Sequence, residues 1–165
     1  MSEQGEDSSL ASTRTLSQVS RWLRGFQAVC FVGGGLNHAQ DMWQGGWLPY
    51  DWAPLPLNVF WTTLVAWDPL AAGLLLWRPR VGVALALLLM VVDVAVNSSV
   101  TYGLGSVDWY ANVPLQLQTL FLGFVAGAAP LIWLSAGRAA CAATSGATSG
   151  AAKAKSETAG NRPGN

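Results

Sequence analysis

Residues 57–102 read LNVFWTTLVAWDPLAAGLLLWRPRVGVALALLLMVVDVAVNSSVTY, and this stretch decides the fold. Two apolar runs, 57–77 and 81–102, flank the short connection Arg78-Pro79-Arg80. A helix rises about 1.5 Å per residue, so about 20 residues cross a ~30 Å hydrocarbon layer. Inside such a layer every backbone N–H and C=O must be satisfied within the segment, which selects helices over isolated strands. No alternation of polar and apolar residues competes with that reading. A connection this short leaves no room for a crossover, so the two helices are expected to be antiparallel neighbours.

Working outward, segments 22–40 and 113–136 have comparable length and complete a set of four. The first is interrupted by Arg24, Gln27, Asn37, His38 and Gln40. It also invites comparison with a cleaved signal peptide, with Arg21 and Arg24 ahead of the apolar run 25–36. A small-residue cleavage site should then follow, where the chain has Leu36-Asn37-His38-Ala39, and the polar stretch ahead is long for a signal. The segment is therefore read as a membrane helix. Residues 1–20 are polar, and residues 137–165 contain ATSG twice in succession (143–146 and 147–150). Both are expected to be disordered tails, since neither can bury enough apolar surface to offset ordering entropy. The expected fold class is an all-α integral membrane protein, a four-helix up-down-up-down transmembrane bundle.

Composition agrees. The chain has 165 residues, 52% hydrophobic and 11% charged, with nine Trp. Soluble domains carry about 25% charged residues, so this chain lacks the polar surface to cover itself in water. A soluble globular enzyme is therefore a poor fit. A net charge of zero offers no basic face for nucleic acid. Cys30 and Cys141 lie far apart and fit neither a disulfide framework nor a metal or redox spacing. No phosphate-binding glycine loop, GxSxG, HExxH or CxxC is present, so no cofactor and no metal is implied.

Orientation follows from the basic residues. Arg14, Arg21 and Arg24 precede or open the first segment, Arg78 and Arg80 join the second and third, and Arg138, Lys153, Lys155 and Arg162 follow the fourth. The other two loops, 41–56 and 103–112, hold Asp41, Asp51 and Asp108 and no Lys or Arg. Such a one-sided distribution places both termini in the cytoplasm and the protein in the cytoplasmic (plasma) membrane. Trp43, Trp47, Tyr50, Trp52, Trp109 and Tyr110 on the outer loops, with Trp22 and Trp77 near the inner boundary, read as interfacial belts. The Gly- and Pro-rich loop 41–56 is expected to anchor at that interface rather than close over the helices.

The unusual chemistry lies within the apolar segments. Asp68 sits in the second and Asp93 in the third. A central Asp costs roughly 2.5–3.5 kcal/mol to insert, so such residues are rare and face a bundle interior. Asp68 lies 11 residues before Pro79 and Asp93 14 after it, a difference in depth of only about 4.5 Å. With no Lys or Arg in the span to pair with them, they are expected to share protons in place of a salt bridge. The Asp68-Pro69 pair equally suits the cap of a kinked helix. Asp93 and Asn97 fall on one helical face, where an interhelical hydrogen-bond lock is the plain structural alternative. The glycines Gly33-Gly34-Gly35 permit either a close helix approach or local unwinding.

Asn37, His38, Asp68, Asp93, Asn97, Gln116 and Gln118 form the candidate ligand- or proton-binding set, in a polar pocket opening outward. The expected function is to bind or conduct a small ligand or proton through these acids. The alternatives are an accessory or scaffolding subunit, or a membrane-embedded isomerase-type enzyme using Asp68, Asp93 and His38. The partners expected are the lipid bilayer, a lipophilic small molecule, and a second copy of the chain or a larger membrane complex. Gly123 and Gly127 offer a small-residue contact surface for the last.

Overall fold

The computed structural model describes the backbone of residues 3–103 and 112–160, and the side chains of 11–103, 112–138 and 141. Within these the chain forms four helices: α1 (Glu3–Gly45), α2 (Leu55–Trp77), α3 (Pro79–Gly103) and α4 (Val113–Gly160). Packing runs α1 on α2, α2 on α3, α3 on α4 and α4 back on α1. Three of them, α2, α3 and the 113–138 part of α4, are long and apolar enough to cross a membrane. The segment 22–40 lies wholly within α1, but its polar residues keep that helix out of this group.

Each helix boundary has a local cause. α1 ends where Gly46 takes φ +84° and its N–H closes on the Met42 carbonyl at 2.9 Å, a left-handed cap that glycine adopts at no steric cost. α2 stops at Trp77 because Arg78 precedes a proline, which drives it out of the helical region; its φ and ψ are −130° and 70°. Pro79 then starts α3, so a single residue joins the two helices. Gly82 packs against the Leu74–Leu75 backbone so closely that a Cβ there would collide with it. Asn112 caps α4: its Oδ1 accepts from the Leu115 N–H at 3.1 Å, and its Nδ2 donates to Thr101 Oγ1 at 3.0 Å, tying the end of α3 to the start of α4.

The core is small and aliphatic. Ala28 and Phe31 of α1 meet Ala71, Ala72 and Leu75 of α2, Val83, Ala86 and Met90 of α3, and Val125, Ala128 and Ile132 of α4. At the end bearing the α2–α3 turn, arginines fasten the helices together. Arg24 Nη1 donates to the Leu75 carbonyl at 3.4 Å, one of the last α2 carbonyls left without an intrahelical partner. Arg80 lies over the Trp133 ring at 5.6 Å, its guanidinium against Gly137. Outside this core the surface is unusually apolar: Trp22, Phe26, Val29 and Leu36 on α1 and Leu117 and Leu120 on α4 are all exposed.

The ends differ from the sequence reading. Where disordered tails were expected over 1–20 and 137–165, the described backbone is helical from Glu3 and continues to Gly160. The second end is rich in Ala, the best helix former, and neither end contains Pro before Pro163, so no residue there forbids a helix. Trp109 and Tyr110, read as part of a belt, and Asp108 of the same loop lie outside the described residues.

Candidate functional site

The site forms because the glycines of α1 let α2 come close. A Cβ on Gly34 would stand 2.6 Å from Asp68 Oδ2, and one on Gly35 2.9 Å from Pro69 Cδ. α1 is unbroken through the triplet and α2 unbroken through Pro69. Close approach, and not unwinding, is thus what the glycines provide. Asp68 is likewise not the cap of a broken helix. It sits inside a continuous one, 8% exposed.

Two adjoining cavities open from this contact. The deeper, of about 510 Å³, is lined by Asp68 and Asp93 together with Cys30, Phe31, Leu64, Met90, Leu117 and Phe121. The other, of about 320 Å³, lies toward the 46–54 loop and is lined by Asp41, Tyr50, Trp52, Trp61, Asn97, Thr101 and Asn112. Asn37, His38, Asp93 and Gln118 belong to both walls, so the two form one path from the loop end to Asp68. Asp68 and Asp93 thus share one cavity wall. Six of the seven residues selected from sequence therefore converge. Gln116 lines neither cavity, because residues two apart on a helix point to different faces and Gln118 takes the inward one.

The hydrogen bonds define what each wall offers. Asn97 Nδ2 donates to Asp93 Oδ1 at 2.8 Å and to the Asp93 carbonyl at 2.9 Å. This pairing stays within α3, so the Asp93 carboxyl is oriented by its own helix and not by an interhelical lock. Among the described residues Asp68 has no hydrogen-bond partner. Gln118 Oε1 is buried and also has none. An unsatisfied buried acceptor costs about 1–3 kcal/mol unless something fills it.

Three residues that the sequence did not single out complete the site. Tyr50 turns inward from the loop; its hydroxyl donates to Asp41 Oδ2 at 2.7 Å and meets His38 Nδ1 at 3.0 Å. With the phenol proton committed to Asp41, the ring proton of His38 must be on Nδ1, leaving Nε2 as the free acceptor of the neutral imidazole. Burial, then the bond to Asp41 and the charges of Asp41 and Asp93, push the Tyr50 phenol above its ordinary range.

Asn58, 4% exposed, holds the loop in this position. Its Nδ2 donates to the Leu48 carbonyl at 3.2 Å, and its Oδ1 accepts from the Tyr50 N–H at 3.2 Å. Trp61 then packs edge-on to Tyr50, centroids 5.2 Å apart, and beside Trp52 at 5.6 Å. The aromatics here divide: Trp43 at the end of α1 and Trp47 in the loop are turned outward, 91% and 84% exposed, while Tyr50 and Trp52 line the cavity. The expectation of an interfacial anchor alone captures only the first pair.

A further polar residue of α1, Gln27, is fully buried with both side-chain polar atoms unpaired, and it lies outside both cavities. Among the described residues no three His, Cys, Asp or Glu side chains converge to hold a metal ion. No family model, curated protein or solved structure matches this chain.

Proposed function

We propose that this chain is a multi-pass protein of the cytoplasmic membrane, a four-helix transmembrane bundle with both termini in the cytoplasm, that binds a small ligand through Asp68 and Asp93. The observation that carries the reading is a cavity with two carboxyls at its floor and an aromatic mouth, inside a helical body whose outer surface is apolar. Soluble proteins bury apolar side chains and expose polar ones. Here Asp68, Asp93, Gln27 and Asn58 are inside, and Trp22, Phe26, Val29 and Leu36 are outside.

The same inversion makes α1 the fourth crossing. Arg24 is committed to Leu75, Gln27 to the interior, and Asn37 and His38 to the cavities, which leaves an exposed apolar stripe of residues 22, 26, 29, 32 and 36, with exposed Gln40 at its loop end. Arg14, Arg21, Arg24, Arg78, Arg80 and Arg138 then fall at the Arg78 end and the cavity mouth faces the other compartment. Gly123 and Gly127 have open space where a Cβ would stand, which favours α4 as the face on which a second copy packs.

Native mass spectrometry of the full chain released from detergent tests the reading. The parent should retain a small non-protein mass. Asp93→Asn keeps the oxygen that accepts from Asn97 and should fold, yet lose that mass. A bare parent chain, or equal retention by a folded Asp93→Asn protein, would leave the polar residues only a scaffolding role.

A further inference from the structure

The walls of the cavity are one-sided in charge, with acids and no Lys or Arg among the described residues, and this specifies the ligand. Asp68 contributes a carboxyl with no partner, Asp93 one carboxyl oxygen beyond that held by Asn97, Gln118 a buried lone acceptor, and neutral His38 its Nε2. No Lys or Arg lines either cavity among the described residues. The Tyr50 proton is committed to Asp41, and Asn97 Nδ2 to Asp93. What is missing is positive charge. Two neighbouring carboxylates in a low-dielectric cavity cannot remain unopposed, so either protons or a bound cation must neutralise them.

From this, and resting on the proposed binding role, we infer that the ligand is a protonated amine carrying an apolar body, and that it enters in exchange for a proton held by Asp68 and Asp93. The ammonium sits between the two carboxyls, where its three N–H groups meet Asp68, Asp93 and Gln118 Oε1. The apolar body lies along Phe31, Leu64, Met90 and Phe121 in the deeper cavity. On its way in, the cation passes Tyr50, Trp52 and Trp61, whose ring faces attract positive charge. A metal ion is the poorer occupant, since no three ligating side chains converge. The exchange balances in charge: one ammonium enters and one proton leaves to solvent.

The titratable groups facing this point are few. α1 supplies His38, Asp41 and Cys30, the loop Tyr50, α2 Asp68 and α3 Asp93; α4 contributes the uncharged Gln118. Tyr50 holds its proton across the neutral range. The proton released is assigned to the carboxyl pair, which the Asp68 and Asp93 variants below test.

The test uses the full chain in lipid nanodiscs, with empty nanodiscs as the reference for partitioning. Titration calorimetry compares 4-phenylbutylamine with its neutral counterpart 4-phenylbutanol, each in phosphate and in Tris buffer, whose ionisation heats differ. The expected result is at least tenfold tighter binding of the amine, with a heat that depends on buffer and corresponds to about one proton released. The alcohol should show no buffer dependence. Asp68→Asn or Asp93→Asn should lose the preference for the amine and the proton release, while Gly33→Ala, where a new Cβ meets nothing within 4 Å, keeps both. Equal binding of amine and alcohol without proton release would overturn the amine assignment and leave a neutral-ligand pocket standing. Absence of binding by either compound would remove the amine assignment together with the pocket. The parent protein in two buffers decides the matter even where a variant does not fold.

Discussion

Replacing the three consecutive glycines of α1 one at a time by alanine gives three different outcomes from one change of a methyl group. At Gly33 nothing lies within 4 Å of the new Cβ, so the substitution meets only the helix propensity, which favours Ala over Gly by about 0.8–1.0 kcal/mol. Gly33→Ala should be neutral or slightly stabilised. At Gly35 the new Cβ would stand 2.9 Å from Pro69 Cδ. A proline ring is fixed to its own backbone and cannot swing aside, so α1 and α2 must separate, at a cost of about 1–3 kcal/mol for overpacking. At Gly34 the obstacle is Asp68 Oδ2 at 2.6 Å, the free end of a side chain that can rotate. Gly34→Ala should lose little stability but displace the carboxyl from the cavity wall, and amine binding with it. Thermal unfolding in one detergent, followed by near-ultraviolet circular dichroism, measures the first two effects. At 2–4 °C per kcal/mol, Gly35→Ala should melt several degrees below Gly33→Ala. If it melts with Gly33→Ala or above it, the close α1–α2 contact is not what shapes the site.

Two further outcomes follow from the loop and the charges. Because the folded Tyr50 phenol holds its proton more tightly than an unfolded one with its ordinary value of 10.0, its contribution is intact below pH 10 and declines above it. Tyr50→Phe should therefore flatten the alkaline fall in stability, and an unchanged alkaline limb in the variant would contradict the buried Asp41–Tyr50–His38 arrangement. Reporter fusions after Ser20 and at Asn165 should both signal cytoplasm, and a Cys at Gly45 should react with an impermeant reagent on intact cells from outside; an exported C-terminus would remove α1 from the count of crossings.

The helices and the acids were legible in the sequence because each depends on local spacing. The runs 57–77 and 81–102 need only length and apolarity, and Asp93 with Asn97 needs only the helical repeat. Gln116 and Gln118 lie beyond that kind of reading, since only the rotation of α4 decides which of them faces inward. Tyr50, Trp61 and Asn58 were not legible for a different reason. Their roles arise from a loop folding back across the helix ends, and an Asn–backbone pairing ten residues apart leaves no periodic trace. A marker did exist: Asn58 is a polar amide in the first turns of an apolar helix, just after a loop dense in aromatics. Tyr50 was counted as a lipid-facing aromatic because composition does not distinguish a ring turned out from one turned in.

The one-residue link at Arg78 bears on how such a protein is made. Separately, each Asp-bearing helix carries an insertion penalty of roughly 2.5–3.5 kcal/mol, and neither has a partner in its own segment that removes the charge. With a single residue between α2 and α3, and Gly82 seated on the Leu74–Leu75 backbone, the two cannot enter the bilayer far apart in time or space. On the proposed membrane reading they would partition as a preformed hairpin, with apolar outer faces toward lipid and Asp68 and Asp93 lining the cavity. Biosynthesis and ligand recognition thus depend on the same turn: the geometry that makes two acids tolerable during insertion is the geometry that leaves them side by side in the finished cavity.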